Sequence, residues 1–416
     1  MITVGIAAGL AAAALTGLIH IVETLAFGHS EAAFRIITDH TTWQQRLLSM
    51  AIGGIVVAVG WYLLQNHSRP VVGVTAAIRA DSADTRRPPL LENISHALLQ
   101  IIAVGAGAPV GREVAPRELA ALAAGRLADA LRIDVDTRRA LVACGAAAGL
   151  ASVYHVPLGG AIFALEVLLG AISLRLAVMA LATSAIAVLV ARLTVSPAAF
   201  YVVGQIDGAV TTVLWAAIVG ACVGLPAAWF RRAAAHAQQQ RAHGHTLLWL
   251  LPLAFVITGI VAIWLPQVLG NGRSAAQSAY WGLSLPICAA LLLAKVAVVL
   301  LVLRCGAFGG TLAPSLSLGA LFGLLVGLLM QGVWPQADVL VATLAGSAGV
   351  LAVSMRAPLT AVALVIGFTN QPLAGFLPII AAVASAMAMA ALAPRLHVHD
   401  WVLDDHLLHR RIRIRQ

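Results

Sequence analysis

"GREVAP", residues 111–116, sets Arg112 and Glu113 side by side in a chain with few charges. "GGTLAP", residues 309–314, repeats its form: Gly, two variable residues, an apolar residue, Ala, Pro. Proline suits the first turn of a helix, where its missing N–H costs nothing, and glycine lets backbone approach a ligand closely. Each hexapeptide therefore reads as a helix start, with Gly111 before one helix and Gly309 and Gly310 before the other. Helix N-termini carry free N–H groups and partial positive charge, so two such starts make a place for an anion.

The match continues outward. "GAAAGLASVYHVPL" (145–158) follows the first hexapeptide and "GSAGVLAVSMRAPL" (346–359) follows the second. Leu-Ala falls at the same offset in both (150–151 and 351–352), and so does Pro-Leu (157–158 and 358–359). This ordered set reads as an internal duplication. The expected organisation is a first half-repeat over 1–205, a second over 206–395 and a basic tail over 396–416.

Composition says what surrounds these repeats. The chain of 416 residues is 61% hydrophobic and 10% charged, whereas a soluble domain has about 25% charged residues. Its solvent is largely lipid, and an all-α, polytopic membrane protein is expected. Apolar runs begin with 2–27, read as a retained span, and include 156–197, 211–229 and 373–393. Several runs are broken by Gly and Pro. Non-helical backbone at membrane depth survives only inside protein or beside a water-filled cavity, as in transporter cores. The net charge is +9, with arginines grouped in 79–87, 231–241 and 409–415. These are read as polar segments on the cytoplasmic side. No aromatic interleaving accompanies them, and no nucleic acid is expected. Cys144, Cys222, Cys288 and Cys305 lack CxxC spacing and read as small buried hydrophobes.

A carboxylate at the centre of a membrane costs about 2.5–3.5 kcal/mol on insertion scales. Facing helix N-termini would offset that cost. Ionised, Glu113 can occupy a permeant anion's place; protonated, it is neutral and can swing away. The alternative is that it pairs with Arg112 or Arg117 in a loop. Lys295, within "LLLAKVAVVLL", reads as facing a water-filled vestibule or snorkelling. His20 and Glu23 read as a hydrogen-bonded pair. An intramembrane enzyme is the rival class, but neither Gly-x-Ser-x-Gly nor HExxH occurs. No enzymatic activity, metal or cofactor is expected.

Taken together, these motifs resemble the CLC family of chloride channels and proton-coupled chloride exchangers. "GREVAP" resembles the family's GREGP, "GAFGGTLAPSLSLG" (306–319) its GxFxP segment, "GAAAGLASVYHVPLGGAIFALE" (145–166) the segment after GREGP, and "MRAPLT" (355–360) the late counterpart. The resemblance implies an inverted repeat of tilted and broken helices and a homodimer with one anion pathway per subunit. It further implies a multi-pass protein of a bacterial inner membrane, moving chloride and, in exchangers, protons. It makes Glu113 the gating glutamate. Gly111, Arg112, Val114, Gly310, Thr311 and Leu312 would line the anion site. Val72 falls where the family has a chloride-binding serine, and His399 or His397 where it has an inner tyrosine. Glu113 and Glu166 are the expected members of a proton pathway, although Val167 stands where exchangers carry their inner glutamate. Fluoride or nitrate is the alternative cargo.

Overall fold

A computed structural model describes residues 1–28, 41–79, 88–193 and 200–393. The arginine-rich stretch from 80 to 87 and everything from 394 onward, including His397, His399 and the basic tail, lie outside the described residues.

The described chain is a succession of helices: α1 (Ile2–Phe27), α2 (Trp43–His67), α3 (Val74–Ile78), α4 (Leu90–Gly105), α5 (Val114–Ala130), α6 (Val135–Tyr154), α7 (Pro157–Phe163) running on as a π-helix (Ala164–Leu169), α8 (Leu174–Arg192), α9 (Val210–Gln239), α10 (Leu247–Trp264), α11 (Arg273–Trp281), α12 (Leu285–Arg304), α13 (Leu312–Gln331), α14 (Val339–Met355), α15 (Pro358–Thr369) and α16 (Phe376–Leu392). Among the described residues, eight helical segments are long and apolar enough to cross a membrane. One of them, α13, has 72% of its apolar window inside the protein, so it is wrapped by other helices rather than by lipid.

The duplication is visible element by element. Asp134 caps α6 by accepting from the Thr137 N–H (3.0 Å), and Asp338 caps α14 by accepting from Leu340 (2.7 Å) and Val341 (3.2 Å). Each cap satisfies N–H groups that the first turn leaves unpaired. Both helices end on a left-handed residue, His155 (φ 56°) and Arg356 (φ 52°). Each is followed two residues later by a proline that opens the next helix, Pro157 in α7 and Pro358 in α15. Helix α5 packs on α6 as α13 packs on α14, and α7 meets α15 across the two halves.

Three features differ from the expectations. The run 156–197 is two elements, because Gly170 turns left-handed (φ 62°) and Ser173 caps α8. The polar stretch 231–241 is helical as far as Gln239, with Ala234 and Ala237 buried. A helix of 30 residues is about 45 Å long and outruns a hydrocarbon core of about 30 Å, so its Arg- and Gln-rich end projects past the apolar layer. Cys222 is exposed on α9, unlike the three buried cysteines.

Candidate functional site

The two hexapeptides meet. The Gly111 N–H donates to the Gly310 carbonyl (2.7 Å) and the Gly310 N–H donates to the Gly111 carbonyl (3.0 Å), forming an isolated antiparallel bridge. Helices α5 and α13 start just beyond it, so their N-termini converge. A Cβ at Gly111 or Gly310 would collide with the Glu113 carboxylate. Glycine at both positions leaves room for the carboxylate to sit where it does.

Glu113 is the N-terminal flanking residue of α5 and is 1% exposed. Its side chain does not cap its own helix. It crosses the bridge instead: Oε1 accepts from the Leu312 N–H (3.0 Å), in the first turn of α13, and Oε2 accepts from the Tyr154 hydroxyl (3.2 Å). A carboxylate thus sits at the N-terminus of the opposite half's helix, where free amides and the helix dipole favour negative charge. Arg117, with its guanidinium 4.7 Å from the Phe163 ring, acts on Glu113 through space.

Tyr154 was not singled out from the sequence. It is the last residue of α6, which places it at the site just before the left-handed turn at His155 ends the helix. It belongs to an aromatic cluster with Phe200 (ring centroids 5.1 Å apart) and Phe368 (4.9 Å). The Arg112 guanidinium lies 6.0 Å from the Tyr154 ring and 5.7 Å from Phe200, and Arg273 lies 4.4 Å from Phe200. An aromatic cover with cationic edges therefore stands next to the carboxylate. The signal in the sequence was one hydroxylated aromatic just before the His-Val-Pro turn, in an otherwise apolar stretch.

Thr311 flanks α13 and Val114 opens α5, both partly buried. Other expected residues are engaged elsewhere. The Val72 N–H donates to Asn93 Oδ1 (3.3 Å) and its carbonyl accepts from Asn93 Nδ2 (2.8 Å), so Val72 offers an anion neither a hydroxyl nor an unpaired amide. Glu166 accepts from the N–H groups of Leu359 (3.0 Å) and Thr360 (2.7 Å) and from the Thr360 hydroxyl (2.6 Å). Three donors make it the cap of α15, a joint between α7's π-helical extension and α15. Lys295 is fully buried and does not face a vestibule: Nζ donates to the carbonyls of Val268 (2.7 Å) and Gly270 (2.9 Å). No group of three or more metal-ligating side chains occurs among the described residues.

A sequence model described as "Voltage gated chloride channel" matches residues 53–391. The chain belongs to this family. Among curated relatives, the "Voltage-gated ClC-type chloride channel ClcB" of Escherichia coli O157:H7 (strain EC4115 / EHEC) is 29% identical over 386 residues, 88% of this chain and 89% of the relative. The same-named protein of Escherichia coli (strain K12 / DH10B) matches to the same extent. Among solved structures, a slow cyanobacterial Cl-/H+ antiporter superposes with a TM-score of 0.79 at 18% identity, covering 94% of this chain and 92% of that one. A CLC-type fluoride/proton antiporter gives 0.72 at 16% identity, covering 94% of each chain. These two likenesses are of fold. Membership makes the chain a CLC-type anion-transport protein of the membrane and not an enzyme. It also accounts for the duplicated, broken helices.

Proposed function

We propose that this CLC protein moves chloride across a bacterial inner membrane through a pathway in each subunit of a homodimer, with Glu113 as its gate. The observation that carries the reading is the hydrogen bond from the Leu312 N–H to Glu113 Oε1 (3.0 Å). An ionised carboxylate at that amide takes the place a permeant anion needs, because both compete for the same helix-end field. Protonation removes the charge and with it the helix-end attraction, so the side chain can leave and the anion can enter. The Gly111–Gly310 bridge and the amides at Thr311 and Leu312 form the floor of the site, and Arg112 supplies positive charge beside it. Chloride is the cargo favoured by the relatives named above.

Flux into liposomes tests the gate. Glu113→Gln keeps the shape and removes the charge. Wild-type anion flux should rise as pH falls, whereas the variant's flux should be insensitive to pH and uncoupled from protons. Identical flux and pH dependence in the two proteins would make Glu113 structural. A panel of chloride, bromide, nitrate and fluoride on the same vesicles identifies the cargo, and dominance of fluoride or nitrate would replace chloride in this reading.

A further inference from the structure

A second buried cluster of titratable groups lies outside the contacts of Glu113. His96 and Gln100 stand one turn apart on α4, and Glu118 faces them from α5, five residues after Glu113. His96 Nδ1 is 3.0 Å from Glu118 Oε2; Gln100 Nε2 is 2.8 Å from His96 Nδ1 and 2.9 Å from Glu118 Oε2. The three atoms close a triangle. All three residues are buried, Gln100 completely. The cluster is nonetheless in contact with a space. His96 and Glu118 line a cavity of about 470 Å³ together with Trp61, Phe308 and, from the α2–α3 loop, Val71 and Gly73.

The surrounding charges are few. The His96 ring is edge-on to Phe308 (4.7 Å) and tilted against Trp61 (6.4 Å). The Arg241 guanidinium lies over the Phe308 ring (3.9 Å). Arg117, next to Glu118, acts through space on both Glu118 and Glu113. One guanidinium thus couples the cluster electrostatically to the gate.

Gln100 shows that the triangle suits more than one protonation state. Its Nε2 donates to Glu118 Oε2 and lies 2.8 Å from His96 Nδ1, while its Oε1 is buried with no hydrogen-bond partner. That arrangement suits an ionised Glu118, which accepts. When Glu118 and His96 Nδ1 both carry protons, the amide turned over offers Oε1 to each of them. The exchange satisfies the orphaned oxygen, and a buried polar atom left unpaired costs free energy.

We propose that His96 and Glu118, poised by Gln100, form a proton-exchange site that loads Glu113 from this cavity. A proton from water in the cavity binds His96 Nε2, and the proton on Nδ1 passes to Glu118 Oε2. His96 is left neutral with its proton on Nε2, Glu118 becomes neutral, and proton exchange with the cavity water returns His96 to the Nδ1–H tautomer. Glu118 then releases its proton through intervening water toward Glu113, which lies about 7.5 Å back along the axis of α5 and about 140° around it, and returns to the ionised state. The cluster thereby fills the role left open by Val167. This rests on the reading of Glu113 as the gate.

The test is the proton-to-anion flux ratio of purified protein in liposomes. Glu118→Gln and His96→Gln should each lower that ratio at least about tenfold, the low end of what a positioned acid or base contributes. Each should also flatten the dependence of anion flux on the pH of the side to which the cavity opens. Should Glu118→Gln fail to fold, as judged by size-exclusion chromatography, His96→Gln carries the test. A wild-type ratio in both variants overturns the proposal, and so does a wild type that moves no protons. Failure of the gate reading is separately visible, because it appears in Glu113→Gln and not in these two variants.

Discussion

On the proposed gate reading, the Tyr154 hydroxyl sets the working pH range. It donates to Glu113 Oε2 (3.2 Å), which stabilises the seated, ionised carboxylate and leaves the protonated form less favoured. Tyr154→Phe removes that donation and keeps the ring among Phe200 and Phe368. A hydrogen bond contributes about 0.5–1.5 kcal/mol, and 1.36 kcal/mol corresponds to one pH unit, so the midpoint of the flux–pH curve should move up by about half to one unit. A midpoint that stays in place or moves down would mean that the hydroxyl does not hold the carboxylate. The placement of Glu113 at the converging helix starts was legible in the sequence, because both hexapeptides read as helix N-termini that favour a negative charge. Tyr154 was not, because its role depends on a neighbour 41 residues away. Val72 was misleading for a similar reason: position implies a ligand, but Asn93 on α4 takes its backbone groups.

Helices are paired here by what they lack. Gly319, Gly323 and Gly327 recur every four residues along α13, and a Cβ at Gly319 or Gly323 would run into the backbone of Gly346 or Ala342 on α14. Without a hydrophobic drive between helices in lipid, such small-residue stripes let backbones pack closely. Gly323→Val should therefore cost about 3 kcal/mol or more, read as a lower unfolding midpoint in detergent, since overpacking against backbone has no cheap relief. Unchanged stability would show that the interface is looser than the geometry requires. Glu166 belongs to this scale as well. Glu166→Gln loses a charged cap on α15, so stability should fall by about 1 kcal/mol while the proton-to-anion ratio stays as in wild type. A collapsed ratio would restore Glu166 to the proton route. The duplication itself was legible, because prolines and glycines mark helix starts and breaks whatever surrounds them. The division of 156–197 was not: Gly170 and Ser173 are too ordinary in an apolar run to announce a break.

Among the described residues, four apolar helices are too short to cross the layer, and the two shortest of them face each other. Helix α15 has 12 residues and is about 18 Å long, against a hydrocarbon core of about 30 Å. Helix α7 with its π-helical extension, Pro157–Leu169, is little longer. Helix ends inside the bilayer need protein rather than lipid around their polar groups. Glu166 answers part of that need from within the chain, yet it is only half-buried, and Leu158, Leu359, Leu377 and Ile380 remain exposed beside it on α7, α15 and α16. A second copy of the same face would cover both the short helices and this carboxylate, which is the physical case for a homodimer built on α7, α8, α15 and α16. Cysteines placed at Leu377 and Ile380 should crosslink between subunits in mild detergent, whereas cysteines at the exposed Trp249 and Leu253 of α10 should not. A monomeric mass across a wide concentration range, or equal crosslinking at both faces, would rule the dimer out. Because each subunit contains its own Glu113 and its own Gly111–Gly310 bridge, Glu113→Gln in one subunit of a tagged heterodimer should leave the other subunit's flux dependent on pH.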